Sequence, residues 1–136
     1  MKYFLAKSEP SAYSIADLRR DGATTWDGVR NPQALQAIRS MAPGDRVFIY
    51  HSTGESAVVG LAEVVSPPRP DPTDAKLAVV DIRFVLALDT PVALAEVKQS
   101  GKFNDWALVR QGRLSTMECP ATFVDWMRQR LPNAGI

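Results

Sequence analysis

Arg46-Val47-Phe48-Ile49-Tyr50-His51-Ser52, then Thr53-Gly54-Glu55, then Ala57-Val58-Val59-Gly60-Leu61-Ala62-Glu63-Val64-Val65 is the stretch on which the fold turns. Two apolar, β-branched and aromatic runs joined by a short polar turn containing glycine read as an antiparallel hairpin. Both runs are too apolar to leave a face in water, so they belong to the middle of a sheet. Gly60 inside the second run marks a bulge or a bend.

Outward from that hairpin the remaining strands are shorter or irregular. Lys2 to Lys7 reads as a first strand, ended by Ser8-Glu9-Pro10. Lys76 to Leu88 alternates Asp81 and Arg83 against apolar neighbours and reads as a long strand that Pro91 breaks. Between them, Ser66-Pro67-Pro68-Arg69-Pro70-Asp71-Pro72 has too few amide donors for a regular ladder and is expected as a surface loop. Leu108-Val109 and Arg113-Leu114-Ser115 are expected as short strands completing the sheet.

Helices are short and lie toward the ends. Ser14 caps a helix over roughly Ile15 to Arg20, with Asp17 at its third position and Gly22 beyond its end. Asn31 before Pro32 reads as an N-cap followed by proline at the first helical position, opening a helix to about Met41 that turns Leu35, Ile38 and Met41 inward. Leu94 to Gln99 is a short helical piece, and Pro120 opens a terminal helix through Phe123, Trp126, Met127, Arg130 and Leu131. The sum is an α+β fold, one domain over residues 1–136, with a small, strongly curved sheet or barrel flanked by short helices.

Composition excludes several function classes. With 46% hydrophobic and 23% charged residues the chain is an ordinary globular sequence. The first apolar run, Tyr3-Phe4-Leu5-Ala6, is too short for a signal peptide or a membrane span, so a cytoplasmic location is expected, or a nucleoplasmic one in a eukaryote. One cysteine, Cys119, and one histidine, His51, leave too few soft ligands for a structural zinc site; no metal and no cofactor are expected. Net charge is +1, but residues 1–50 hold seven Lys/Arg against five Asp/Glu, residues 51–100 four against seven, and residues 101–136 five against three. If the two ends meet, a local basic face arises on a nearly neutral molecule.

Chemistry concentrates in Trp26-Asp27-Gly28-Val29-Arg30-Asn31, which offers a flat aromatic face, a carboxylate, a permissive glycine, a guanidinium fork and a carboxamide. That set suits recognition of a planar heterocycle, at the entry to a helix whose N-terminal amides also face outward. The competing reading makes Trp26 core, pairs Arg30 with Asp27 and leaves Asn31 only a cap. Tyr50-His51-Ser52 stands at a strand end, where an imidazole between two hydroxyls can bind a ligand or serve as a general base. A hydrolase would need Ser8 or Ser52 as nucleophile and Glu9 or Asp27 as acid, but no nucleophile-elbow pattern is present, and Ser52 adjoins His51 on a strand whose side chains alternate.

The order Lys7-Ser8-Glu9-Pro10, Trp26-Asp27-Gly28-Val29-Arg30-Asn31, Gly44-Asp45, Tyr50-His51-Ser52, Arg113-Leu114-Ser115 resembles the EVE domain along nearly the whole chain. The resemblance implies a PUA-like fold, a small mixed β-barrel flanked by helices, and a non-enzymatic domain that reads a modified nucleobase, modified cytosine in DNA before RNA. It implies a pocket built from Trp26 as aromatic wall, Val29, Arg30 and Asn31 at the mouth, Tyr50, His51 and Ser52 on one side, and Ser8 and Arg113 as further polar contacts. Leu35-Gln36 departs from the Arg-Asn of many relatives and removes a positive charge near the site. The alternative to a base reader is a small-molecule-binding or hydrolytic domain using His51 in the same cleft.

Overall fold

The central hairpin forms as β3 (Arg46–His51) and β4 (Ala57–Val64) in the computed structural model, which describes all residues, 1–136. In chain order the other elements are β1 (Tyr3–Ser8), α1 (Ile15–Asp21), β2 (Ala23–Trp26), α2 (Pro32–Arg39), β5 (Arg69–Asp71), β6 (Asp74–Ala93), α3 (Leu94–Gln99), α4 (Ala107–Arg110), β7 (Thr116–Glu118) and α5 (Ala121–Arg130). Seven strands make one mixed sheet along the path β2-β6-β4-β3-β1-β7, with β5 pairing β6 off that path. β1 runs parallel to β3, with Ser8 opposite His51, and antiparallel to β7, with Phe4 opposite Glu118. The two termini of the domain therefore do meet, side by side at the middle and edge of the sheet.

Curvature comes from breaks in the ladder. Register slips between Ile49 and Tyr50 on the β3–β4 side and between Val58 and Gly60 on the β4–β6 side. On β6, Ala87 pairs Gly60 and Val92 pairs Val58, so residues 88–91 bow out opposite a single residue. Pro91 lies in that bow, where a missing N–H costs no ladder bond, and this is why the strand continues past a proline expected to end it. The hydrogen-bonded path does not close on itself. Instead α2 packs on both β6 and β7 and covers the space between the two arms of the sheet.

Packing follows the apolar pattern. Phe4, Leu5, Phe48, Ile49, Leu61, Ile82, Ile38, Leu18, Phe123 and Met127 are fully buried. Phe48 meets Phe123 edge-on at 5.5 Å, and Phe103 meets Phe123 at 5.4 Å, which seats α5 against the sheet. Asp45, buried at the β3 entry, accepts the Lys2 and Ala42 amides at 2.9 Å each and ties the starts of β1 and β3 together.

Three further expectations from sequence change. Leu108-Val109 lies in the single helical turn α4, because an apolar pair does not distinguish strand from helix and the Trp106 indole, donating to the Glu118 carbonyl at 2.9 Å, anchors the turn beside β7. Arg113-Leu114-Ser115 is not a strand; the pairing starts at Thr116. The proline-rich loop contributes β5, a three-residue edge strand whose pairing with β6 shifts register after Pro70. No helix is long and apolar enough to cross a membrane.

Candidate nucleic-acid interface

A cleft of about 520 Å³ opens where β1 and β2 end, lined by Lys7, Ser8, Ala12, Tyr13, Thr24 to Arg30 and Ser115. Local rules position each wall. β2 pairs antiparallel with β6, Trp26 opposite Val80, so the indole is the last ordered strand residue before the chain turns. Gly28 then adopts φ +75°, a conformation that carries Val29 and Arg30 back along the cleft and that a side chain would strain. Val29 is buried and holds this loop to the core, while Arg30 stays exposed.

The opposite wall is the turn after β1. Glu9 accepts the Ala12 and Tyr13 amides at 3.0 and 2.8 Å, and the Ser8 hydroxyl donates to the Tyr13 carbonyl at 2.5 Å. Tyr13 then packs edge-on against Trp26, with ring centroids 6.4 Å apart and an interplanar angle of 78°. The ring that closes the cleft is thus braced by a second aromatic, and Tyr13 is held in turn by its hydroxyl donating to Asp21 at 2.9 Å. Lys7 forms part of the cleft lining. Its ammonium donates to the Gly112 carbonyl at 2.9 Å and stands 5.4 Å from the centre of the Tyr50 ring. Burial lowers its pKa below the ordinary lysine value.

The residues singled out from sequence are sorted by the fold. Ser8, Trp26, Val29 and Arg30 come together on the cleft. Asn31 does not line it: its carboxamide oxygen accepts the Gln33 and Ala34 amides at 2.8 and 3.1 Å, so the free amides at the start of α2 are already satisfied. Arg30 forms no ion pair with Asp27. Arg113 lies outside the lining, exposed in the loop next to Gly112.

Tyr50, His51 and Ser52 are not among the residues that line the cleft. Tyr50 is buried, its phenol pKa raised by that burial. The His51 Nε2 accepts the Ile15 amide at 3.1 Å, which fixes a neutral imidazole at the start of α1. Burial lowers its pKa below the usual 6.5, with the charge of Glu55 opposing. The Ser52 amide donates to the Ser8 carbonyl at 3.0 Å and continues the β1–β3 pairing one step. His51 and Ser52 thereby tie α1 and the Ser8 turn to the end of β3. Sequence reading did not single out Lys7, Tyr13, Thr24, Thr25 or Ser115 as lining. Ser115 had one readable sign, its place at the end of the Arg113-Leu114-Ser115 island; the fold brings it in through the Lys7 amide, which donates to its carbonyl at 2.8 Å.

The EVE domain family model matches residues 2–130. The chain belongs to the EVE-domain family. Among its relatives, human thymocyte nuclear protein 1 is 33% identical over 83% of this chain. The chain spans between 51% and 67% of the length of the thymocyte nuclear proteins it matches. A Rhodopseudomonas palustris protein solved by NMR superposes on this EVE domain with TM-score 0.88 and 39% identity, covering 95% of this chain and 92% of its own. Human THYN1 protein, in a crystal structure in complex with 5-methylcytosine-containing DNA, superposes with TM-score 0.87 and 26% identity, covering 96% of this chain and 97% of its own.

Proposed function

We propose that this EVE domain is a non-enzymatic reader of modified cytosine in DNA, taking an extruded base into the cleft between Trp26 and the Lys7-Ser8 end of β1. The braced indole carries the reading: Trp26 lines a cleft of about 520 Å³, a volume in the range of small-ligand sites, with Arg30 and Lys7 as cationic donors nearby. The likeness to the THYN1 protein bound to 5-methylcytosine-containing DNA supports the choice of ligand.

The hydrogen bonds support binding over turnover. A hydrolytic relay needs a serine hydroxyl donating to an imidazole, whereas the Ser8 hydroxyl donates to the Tyr13 carbonyl and the His51 Nε2 accepts the Ile15 amide. Energetics set the strength expected. Extruding a base costs a few kcal/mol, and stacking on an aromatic returns ~1–3 kcal/mol per base. Full desolvation of one methyl adds ~0.8 kcal/mol, about a fourfold preference. Binding is therefore weak, salt-sensitive and modestly selective for the methyl itself.

The test is binding at low salt to matched DNA and RNA oligonucleotides carrying cytosine, 5-methylcytosine or 5-hydroxymethylcytosine, with Trp26→Ala in parallel. Preference for a modified DNA strand, reduced ~5- to 150-fold in affinity by Trp26→Ala, is the expected result. Affinity indifferent to both the base and the indole would refute the assignment.

A further inference from the structure

We infer that Lys7 and Ser8 make this cleft selective for the edge of a 4-amino pyrimidine, so that it accepts cytosine-type bases and rejects thymine and uracil; the inference rests on the base-reading role proposed above. A serine hydroxyl has one proton, and that of Ser8 is directed to the Tyr13 carbonyl at 2.5 Å. Any ligand atom meeting the Ser8 oxygen must therefore be a donor. Two more hydroxyls on lining residues are committed the same way, Tyr13 donating to Asp21 at 2.9 Å and Thr25 to Asp81 at 2.7 Å, while the Ser115 hydroxyl lies 3.5 Å from that of Thr116, either of which can be the donor. Asp27, on the cleft rim, is an acceptor as well. Donors come from Lys7, which has two N–H groups left after its bond to the Gly112 carbonyl, and from Arg30.

This lining is rich in lone pairs and has two cations. A cytosine-type base answers it with two amino protons on N4 for the acceptors and with N3 and O2 for the cations. Thymine or uracil presents a single N3–H between two carbonyl oxygens. Seated with the same ring position, its O4 faces the Ser8 lone pairs and its N3–H faces the Lys7 ammonium, leaving two mismatched polar contacts. Lys7 and Ser8 are adjacent in sequence and belong to the rigid end of β1, where Ser8 pairs with His51 of β3. That support fixes the reading pair relative to the stacked ring.

5-Methylcytosine and thymine carry the same methyl group and differ only at N3 and position 4, so they make the decisive pair. Each is placed at one position of an otherwise identical single-stranded DNA oligonucleotide, which removes the cost of opening a base pair, and an abasic strand serves as reference. The full chain is expected to bind the 5-methylcytosine strand ~10-fold or more tightly than the thymine strand. Lys7→Met and Ser8→Ala should each bring that ratio to within about twofold, whereas Trp26→Ala weakens both strands together. Lys7→Arg, which keeps a cationic donor, should retain the preference. Equal binding of the two bases, above the abasic strand and lost in Trp26→Ala, overturns the edge selectivity and leaves base reading standing. Binding of neither base above the abasic strand overturns both. A preference that persists in folded Lys7→Met and Ser8→Ala variants removes the role from this pair; should Lys7→Met not fold, Ser8→Ala decides.

Discussion

Gly60 is where the sheet and α1 are locked together, and replacing it with alanine measures that lock. An added Cβ would lie 2.4 Å from Ile15 Cδ1, 2.8 Å from Ile15 Cγ1 and 2.8 Å from the Leu86 carbonyl oxygen. The isoleucine can rotate away, but the carbonyl belongs to the backbone of β6 and cannot. Overpacking of this kind costs about 1–3 kcal/mol. Restricting the unfolded chain with alanine in place of glycine returns ~0.4–1 kcal/mol. With a backbone atom among the clashes, a net loss of about 1–2.5 kcal/mol is expected, which lowers the melting temperature by roughly 3–12 °C for a chain of this size. Urea and thermal unfolding of Gly60→Ala, Ile15→Ala and the double variant separate the two contacts. The double variant should be more stable than the sum of the single losses by ~0.5 kcal/mol or more, because removing the Ile15 side chain relieves its part of the clash. A Gly60→Ala protein as stable as the parent, or strictly additive losses, would refute the reasoning.

Asn31→Ala should lower stability by ~0.5–2 kcal/mol through loss of the α2 cap, and Asn31→Asp should restore it; chemical denaturation reads both. His51 makes stability depend on pH below its ordinary pKa value. Its folded pKa lies below the unfolded value near 6.5, so the unfolded chain binds the proton first: its contribution is fully present above pH 6.5 and is lost as pH falls from there through the folded pKa. His51→Gln, whose amide oxygen can accept the Ile15 amide without titrating, should flatten the stability profile in that window, and an unchanged slope would sink the assignment. Phe123→Ala should cost ~3–5 kcal/mol in equilibrium unfolding, since the ring is fully buried between Phe48, Phe103 and Trp106.

Legibility differed from one part of the molecule to another for identifiable reasons. The β3–β4 hairpin, β1, α1 and α2 were readable because each carries a local rule: an apolar run, the Ser14 and Asp17 capping box, or the Asn31-Pro32 start. α4 and β7 differ from the sequence expectation because three or four apolar or mixed residues hold no periodicity to read. In the site, Trp26, Val29 and Arg30 share one loop, so their joint presentation was written in one stretch. Tyr50, His51 and Ser52 looked like a cleft wall because polar groups at a strand end commonly face one. Their partners, Ile15 and Ser8, lie 36 to 44 residues away, and no local pattern records which group they meet.

By itself, then, the sequence determined β1, the β3–β4 hairpin and most of β6, the caps, the aromatic and cationic groups available, and the membership of the chain in its family. Tertiary structure decided which of those groups face the same space. Parallel pairing of β1 with β3 and antiparallel pairing with β7 set Lys7, Ser8 and Ser115 beside Trp26 and Arg30, and directed the Ser8 proton inward to Tyr13. Periodicity and capping act over a few residues and are written locally. Register between strands, and the direction in which a hydroxyl gives its single proton, are fixed by partners distant in the chain, and only the folded molecule supplies them.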